Sequence, residues 1–143
     1  MELGIDDELV EHVFRLTQAE QQFIQRRLKQ SGLNVLQAQT LNFIATHPAS
    51  IQRNLSHYLG KSAATTTNIL KVLEARQLIT RRADPDNSRE KRLYLLPAGQ
   101  DLVTAVRAVF IALERRVSAP LTPPEKTQLL ALLDRISAQA DFD

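Results

Sequence analysis

The sequence predicts a mostly α-helical chain with a small β-wing: a winged helix-turn-helix flanked by helices at both ends. Three observations predict it. Leu55 and Leu59 lie four apart on a short helical segment that runs into Gly60, and a second helical pattern opens at Ser62. A glycine has no Cβ to clash, so it permits the sharp turn between the two. Two short β-prone runs follow, Thr80-Arg81-Arg82 and Leu93-Tyr94-Leu95, with the turn residues Asp84-Pro85-Asp86-Asn87 between them. Helical patterns at both ends of the chain carry apolar stripes broader than so small a centre can cover.

The first helix is expected from Asp6 to about Gln30. Leu9, Val13, Leu16 and Phe23 recur at helical spacing, and Val10, Phe14, Ile24 and Leu28 widen the stripe enough for two contact surfaces. Asp6, Asp7 and Glu8 suit its N-terminus; Arg26, Arg27 and Lys29 suit its C-terminus, where they complement the helix dipole. Ser31-Gly32 ends it. The second helix is expected from about Val35 to Thr46, capped by Asn34, with Leu36, Leu41, Phe43 and Ile44 inward. His47-Pro48 stops it, because a residue before proline avoids the helical region.

Ser50 is the expected cap of the short helix that opens the helix-turn-helix. Gln52 and Arg53 in its first turn are candidates for contact with a nucleic-acid backbone. The recognition helix runs from Ser62 to Arg76, with Ile69, Leu70 and Leu73 inward and Leu78 and Ile79 continuing the apolar surface. Thr65, Thr66 and Thr67 are three β-branched residues in succession, poor helix composition that a DNA-facing surface would exploit through hydroxyls and methyls. Asn68 can form two hydrogen bonds to adenine, and Lys71 one turn later reaches a phosphate. In the wing, Arg89 at the tip suits a narrow minor groove. Asp84, Asp86 and Glu90 are expected to face arginines and hold the loop, with Lys91 and Arg92 balancing them.

A long helix follows from Pro97 to Ala119, with Val103, Val106, Phe110, Leu113 and Val117 at alternating spacings of three and four. Pro120 closes it. The last helix opens on Thr122-Pro123-Pro124-Glu125, a capping box, and carries Leu129, Leu130, Leu132, Leu133 and Ile136.

With 143 residues, a single domain over 1–143 is expected. Within it, 34–96 forms the winged helix-turn-helix lobe, and 5–30 with 97–140 forms a helical dimerisation lobe. The segment from Ile51 to Arg92 holds nine Lys and Arg against four Asp and Glu, a net of +5 in a chain of net +2, so the rest carries −3. A basic segment on an otherwise acidic chain, coincident with a helix-turn-helix, is the footprint of a nucleic-acid binder.

Other classes are excluded or disfavoured. There is no Cys, which removes disulfide frameworks, thiolate metal sites and thiol-based sensing. His12, His47 and His57 fall on separate expected helices without metal-ligand spacing, the four glycines form no phosphate loop, and no nucleophile elbow occurs. An enzyme, a cofactor and a bound metal are therefore not expected. No apolar run approaches the ~20 residues of a membrane span, and the acidic start from Met1 to Glu8 shows no signal-peptide pattern, so a cytoplasmic location is expected.

The stretch from Leu59 to Gly99 resembles the MarR family of winged-helix transcription regulators. The residues that carry the resemblance are Leu59-Gly60, Ser62, Thr65-Thr66-Thr67, Leu73-Glu74-Ala75-Arg76, Leu78-Ile79, Arg81-Arg82, Asp84-Pro85, Arg89, Leu95 and Pro97-Ala98-Gly99. It departs from the family pattern of an Asp, any residue, then Arg at the wing tip, because Asn87 stands in place of the Asp before Ser88 and Arg89. It departs also where Leu96 precedes Pro97 in place of Thr, where Gln77 follows Arg76 in place of Gly, and where Ile51 replaces a Thr or Ser that can bond a phosphate. The resemblance implies a homodimer that binds double-stranded DNA and a small-molecule effector that shifts its DNA affinity, most often as a repressor.

The residues expected at the DNA are Gln52, Arg53, Lys61, Ser62, Ala63, Thr65, Thr66, Thr67, Asn68, Lys71, Ser88 and Arg89. The terminal apolar stripes independently call for a second copy. Such a two-fold dimer implies an inverted-repeat operator with half-sites about 34–36 Å apart. The competing reading is a winged-helix module that binds protein without DNA; apolar anchors would then be expected on the recognition helix and wing, where Thr, Asn, Arg and Lys stand instead.

Overall fold

A computed structural model describes residues 8–87 and 89–140. The described chain is mainly helical with one small antiparallel sheet, in the expected order: α1 (Leu9–Leu28), α2 (Val35–Thr46), β1 (Ser50–Ile51), α3 (Gln52–Leu59), α4 (Ala63–Ala75), β2 (Ile79–Ala83), β3 (Lys91–Leu95), α5 (Pro97–Ser118) and α6 (Pro123–Ser137). It divides into two compact units, Met1–Phe110 and Ile111–Asp143. Asp6 and Asp7, expected at the first helix N-terminus, lie outside the described residues.

In the first unit, local chemistry sets most boundaries. Asn34 caps α2 by accepting from the Gln37 N–H at 2.8 Å, while the Gln37 side chain accepts from the Asn34 N–H at 3.1 Å. The same closure ends three helical segments. The N–H groups of Leu33, Lys61 and Leu78 bond back to the carbonyls of Leu28, Ser56 and Leu73, around left-handed Gly32, Gly60 and Gln77. Two of these positions hold the residue that the conformation favours. The third, Gln77 at φ +58°, adopts it with a side chain.

The sheet is larger than the expected two-stranded wing. Its order is β1-β3-β2, all antiparallel, with Ser50 opposite Leu93 and Arg81 opposite Leu93 on the other side. Ser50 is therefore a strand residue rather than the cap of α3. Ile51 stands at the N-cap position, and no side chain caps that helix. Pairing with β3 outweighs the capping propensity of Ser50, and it ties the start of the helix-turn-helix to the wing.

The core of this unit joins Leu41 and Ile44 of α2, Leu55 of α3, Leu70 and Leu73 of α4, and Leu93 of β3, each no more than 1% exposed. Burying each such side chain stabilises the fold by about 1.5–3 kcal/mol. Leu36 and Ile69, expected inward, are only half-buried. On α1, Ile24 and Leu28 are buried, whereas Leu9, Val10, Val13, Phe14 and Leu16 are exposed. The N-terminus of α5 docks tightly: the Leu96 N–H donates to the Leu78 carbonyl at 2.9 Å, and a Cβ added at Gly99 would stand 2.0 Å from that same oxygen.

In the second unit, Thr122 and Glu125 form the expected capping box at α6, with proline in its first turn. Lys126 bonds Glu114 of α5 at 2.6 Å. The apolar side chains of α6, Leu129, Leu130, Leu132, Leu133 and Ile136, are each between 41% and 51% exposed. No described helix is long and apolar enough to cross a membrane.

Candidate nucleic-acid interface

The expected recognition helix, α4, begins at a true cap. The Ser62 hydroxyl accepts from the Thr65 N–H at 3.2 Å. Three consecutive helix positions sweep through about 200°, so Thr65, Thr66 and Thr67 cannot share one face. Thr66 lies four residues before Leu70 and seven before Leu73, on the inward side, and is fully buried. Its hydroxyl donates to the Ser62 carbonyl at 2.9 Å and accepts from Ser56 of α3 at 2.8 Å. The expectation that Thr66 meets DNA is therefore corrected: its hydroxyl locks α3 to α4. The helical period in the sequence already contained this signal. Thr65 and Asn68 are exposed, as are Lys61, Ser62, Ala63 and Lys71, and Thr67 is half-buried.

Gln52 is likewise not a free surface side chain. Its amide donates to the Thr67 hydroxyl at 2.7 Å and accepts from Arg81 of β2 at 3.4 Å. Arg81 is itself held by Glu74 of α4, at 2.6 Å through one terminal nitrogen and 2.7 Å through Nε. Sequence reasoning gave Arg81 no part in the site, and a pair seven residues apart across a helix end has no local signature. Arg53, by contrast, has a side chain 80% exposed, with only a long 3.8 Å approach to Glu90 of the wing among the described residues.

The wing is braced at its base. Arg92 reaches the Asp84 carboxylate at 2.8 Å and donates to the Ala49 carbonyl at 2.8 Å, joining the wing to the segment that precedes β1. The Asp86 N–H also donates to Asp84, at 3.0 Å. That backbone bond and then Arg92 hold the Asp84 carboxyl below its ordinary value, against the opposing effect of burial. Arg92 is thus a structural cation. Glu90, expected to face arginines, approaches Arg53 of α3 at 3.8 Å. At the tip, Asn87 accepts from the Arg89 N–H at 3.1 Å, so an amide oxygen orders the turn where the family pattern has a carboxylate. Ser88, the other wing candidate, lies outside the described residues.

These elements enclose an open cleft of about 570 Å³. Arg53 and Ser56 line it from α3, Ala63 from α4, and Arg81, Arg89 and Lys91 from the wing, with Glu90 as the acidic member. Four cations and one anion around a groove, beside the polar first turns of α4, form a surface suited to a polyanion. Lys91 is a cleft residue that was expected only to balance charge. Among the described residues, no three of His, Cys, Asp and Glu come together as a metal site would need.

Comparison with known proteins fits this geometry. Residues 31–90 match the sequence model of the MarR family. S. aureus MepR, solved as a DNA complex, superposes with a TM-score of 0.86 at 25% identity, over 93% of this chain and 99% of that one. A probable transcriptional regulator from Pseudomonas aeruginosa superposes with a TM-score of 0.80 at 28% identity, over 92% and 98%. A mutant of MarR from E. coli, complexed with operator DNA, shares the fold with a TM-score of 0.81 at 18% identity, over 90% and 92%.

Proposed function

We propose, from the premise that this chain belongs to the MarR family of winged-helix regulators, that it is a homodimeric, sequence-specific, double-stranded DNA-binding transcription regulator. The observation that carries this reading is the basic cleft of Arg53, Arg81, Arg89 and Lys91 beside the exposed polar residues of α4. In this reading α4 enters the major groove with Thr65, Thr67 and Asn68 toward base edges or nearby phosphates, and Arg89 reaches from the wing into the minor groove. Lys61, Lys71 and Arg53 contact phosphates. That MepR was solved as a complex with DNA supports the assignment of the partner.

The exposed apolar residues of α1 and α6 support dimerisation, since a second copy would remove them from water. Two recognition helices related by a two-fold axis would read an inverted repeat. We assign the sign of regulation as repression and its control to a small-molecule effector, both on the family resemblance. An effector that binds better to the geometry unable to hold DNA lowers DNA affinity by that difference. We assign its site of action to the cytoplasm, on the same resemblance.

Selection from a random duplex library at several salt concentrations tests this reading. The expected result is an enriched inverted repeat, affinity that falls steeply with salt as counterions are released, and weaker binding by Arg89→Ala and Asn68→Ala. Sedimentation of the wild type should give a dimer, and Leu130→Glu with Leu133→Glu should give monomers that bind the repeat poorly. Binding that ignores salt and enriches no duplex would overturn the reading in favour of a protein-binding module.

A further inference from the structure

The side chains behind the exposed face of α4 carry a hydrogen-bond polarity that follows atom by atom from what each group can do. Glu74 fixes Arg81 through an ion pair at 2.6 Å and a bond to Nε at 2.7 Å. Arg81 then meets the Gln52 amide at 3.4 Å. A guanidinium has only donors, so the amide atom facing it is the oxygen. The other amide atom, 2.7 Å from the Thr67 hydroxyl, is therefore the nitrogen. It too has only donors, so the hydroxyl accepts. A lone pair of Thr67 is thus occupied from behind, and its proton remains to be placed. Thr40, Thr46 and Thr66 each send theirs to a carbonyl one turn back. For Thr67 no acceptor is placed among the described residues.

We propose that Arg81 and Gln52 are positioning residues that make Thr67 a hydrogen-bond donor toward DNA. The inference rests on the DNA-binding reading and deepens it. A donor at this point accepts guanine O6 or N7, adenine N7, thymine O4 or a phosphate oxygen as its partner, and rejects the amino group of cytosine. Gln52, expected from the sequence to touch the DNA backbone, acts one layer behind it.

Two substitutions separate this arrangement from ordinary packing. Thr67→Val keeps the shape and removes the hydroxyl. Gln52→Glu inverts the polarity, because a carboxylate accepts from both Arg81 and Thr67 and so turns the threonine lone pairs outward. Binding of both variants and of the double variant to the duplex selected by the wild type forms a cycle, in which the repulsion of phosphate by the new carboxylate is common to both legs and cancels. Thr67→Val should weaken binding about fivefold, the size of one net hydrogen bond. Gln52→Glu should weaken binding at least about threefold more with threonine present than with valine, a coupling of the size found between contacting residues. A loss confined to one base pair of each half-site assigns the acceptor to a base edge; a loss uniform over sequences assigns it to a phosphate, and either supports the proposal. Gln52→Met, which releases Thr67 without adding charge, should also weaken binding, and it serves as the second leg if Gln52→Glu does not fold. An additive cycle, or Thr67→Val within about twofold of the wild type, would overturn the inference while leaving the DNA-binding reading intact. A wild type that enriches no duplex would overturn both.

Discussion

Asp84 and Arg92 meet at the base of the wing, the carboxylate of one 2.8 Å from the guanidinium of the other, and Arg92 passes the connection on to the Ala49 carbonyl. The pair ties the wing to the segment before β1. Its strength depends on pH in a definite direction. The Asp84 carboxyl titrates below its ordinary value when folded, so its contribution is complete above the unfolded value of about 4 and is lost as pH falls through the lower folded value. Glu125 in the capping box and Glu114 beside Lys126 shift the same way. Thermal melts should therefore show stability dropping below about pH 4. Asp84→Asn should be less stable than the wild type near neutral pH, with the gap closing in acid. A gap that stays constant from about pH 7 to about pH 3 would refute this account of the wing.

The contact of Gly99 with Leu78 sets a second prediction. Any Cβ at this position falls 2.0 Å from a backbone oxygen that already accepts the Leu96 N–H. A carbonyl so engaged cannot step aside cheaply. Gly99→Ala should destabilise the protein by about 1–3 kcal/mol in urea unfolding, the range of overpacked sites, even though alanine is the better helix former.

Gln77 provides the opposite case. It closes α4 in the left-handed conformation, φ +58°, where Gly32 and Gly60 do the same elsewhere. For an L-residue this backbone costs roughly 1–2 kcal/mol, and glycine offsets part of that gain through its greater freedom when unfolded. Gln77→Gly should raise stability by about 0.5–1 kcal/mol. The measurement is the shift of the urea midpoint at unchanged slope.

Glu90 is the acidic residue in the basic cleft and approaches Arg53 at 3.8 Å. If DNA occupies the cleft, this carboxylate opposes phosphate and competes for Arg53. Glu90→Gln should tighten binding of the selected duplex by about threefold at low salt, the scale of a surface charge interaction, with the advantage fading as salt rises. Unchanged or weaker affinity would mean that Glu90 faces away from the bound nucleic acid.

Much of the fold was legible because its signals act within one turn of the chain. Gly60 and Gly32 stop helices through their own backbone freedom, Ser62 caps α4 through a residue three positions on, and Thr122 with Glu125 does so for α6. Apolar spacing marked Leu41, Phe43, Ile44, Leu70 and Leu73 as inward, and all five are buried, while Leu36 and Ile69, marked inward with them, are half-buried. The error at Thr66 was of another kind. Composition suggested a polar surface, while the spacing to Leu70 and Leu73 pointed inward, and the inward reading prevailed because Ser56 and the Ser62 carbonyl satisfy the buried hydroxyl.

By itself, then, the sequence determined the order of the elements, the helix-turn-helix with its turn and cap, the wing and its basic character, and the apolar faces of the terminal helices. Those properties depend on periodicity, propensity and neighbours a few residues apart. Only the tertiary structure decided that Ser50 and Ile51 join β3, that Arg92 anchors the wing to Ala49, and that Gln52 lies between Arg81 and Thr67. Each of these joins segments 15 or more residues apart. Such contacts form when packing brings polar groups together away from water, and each group then takes the donor or acceptor within reach, which no local rule specifies.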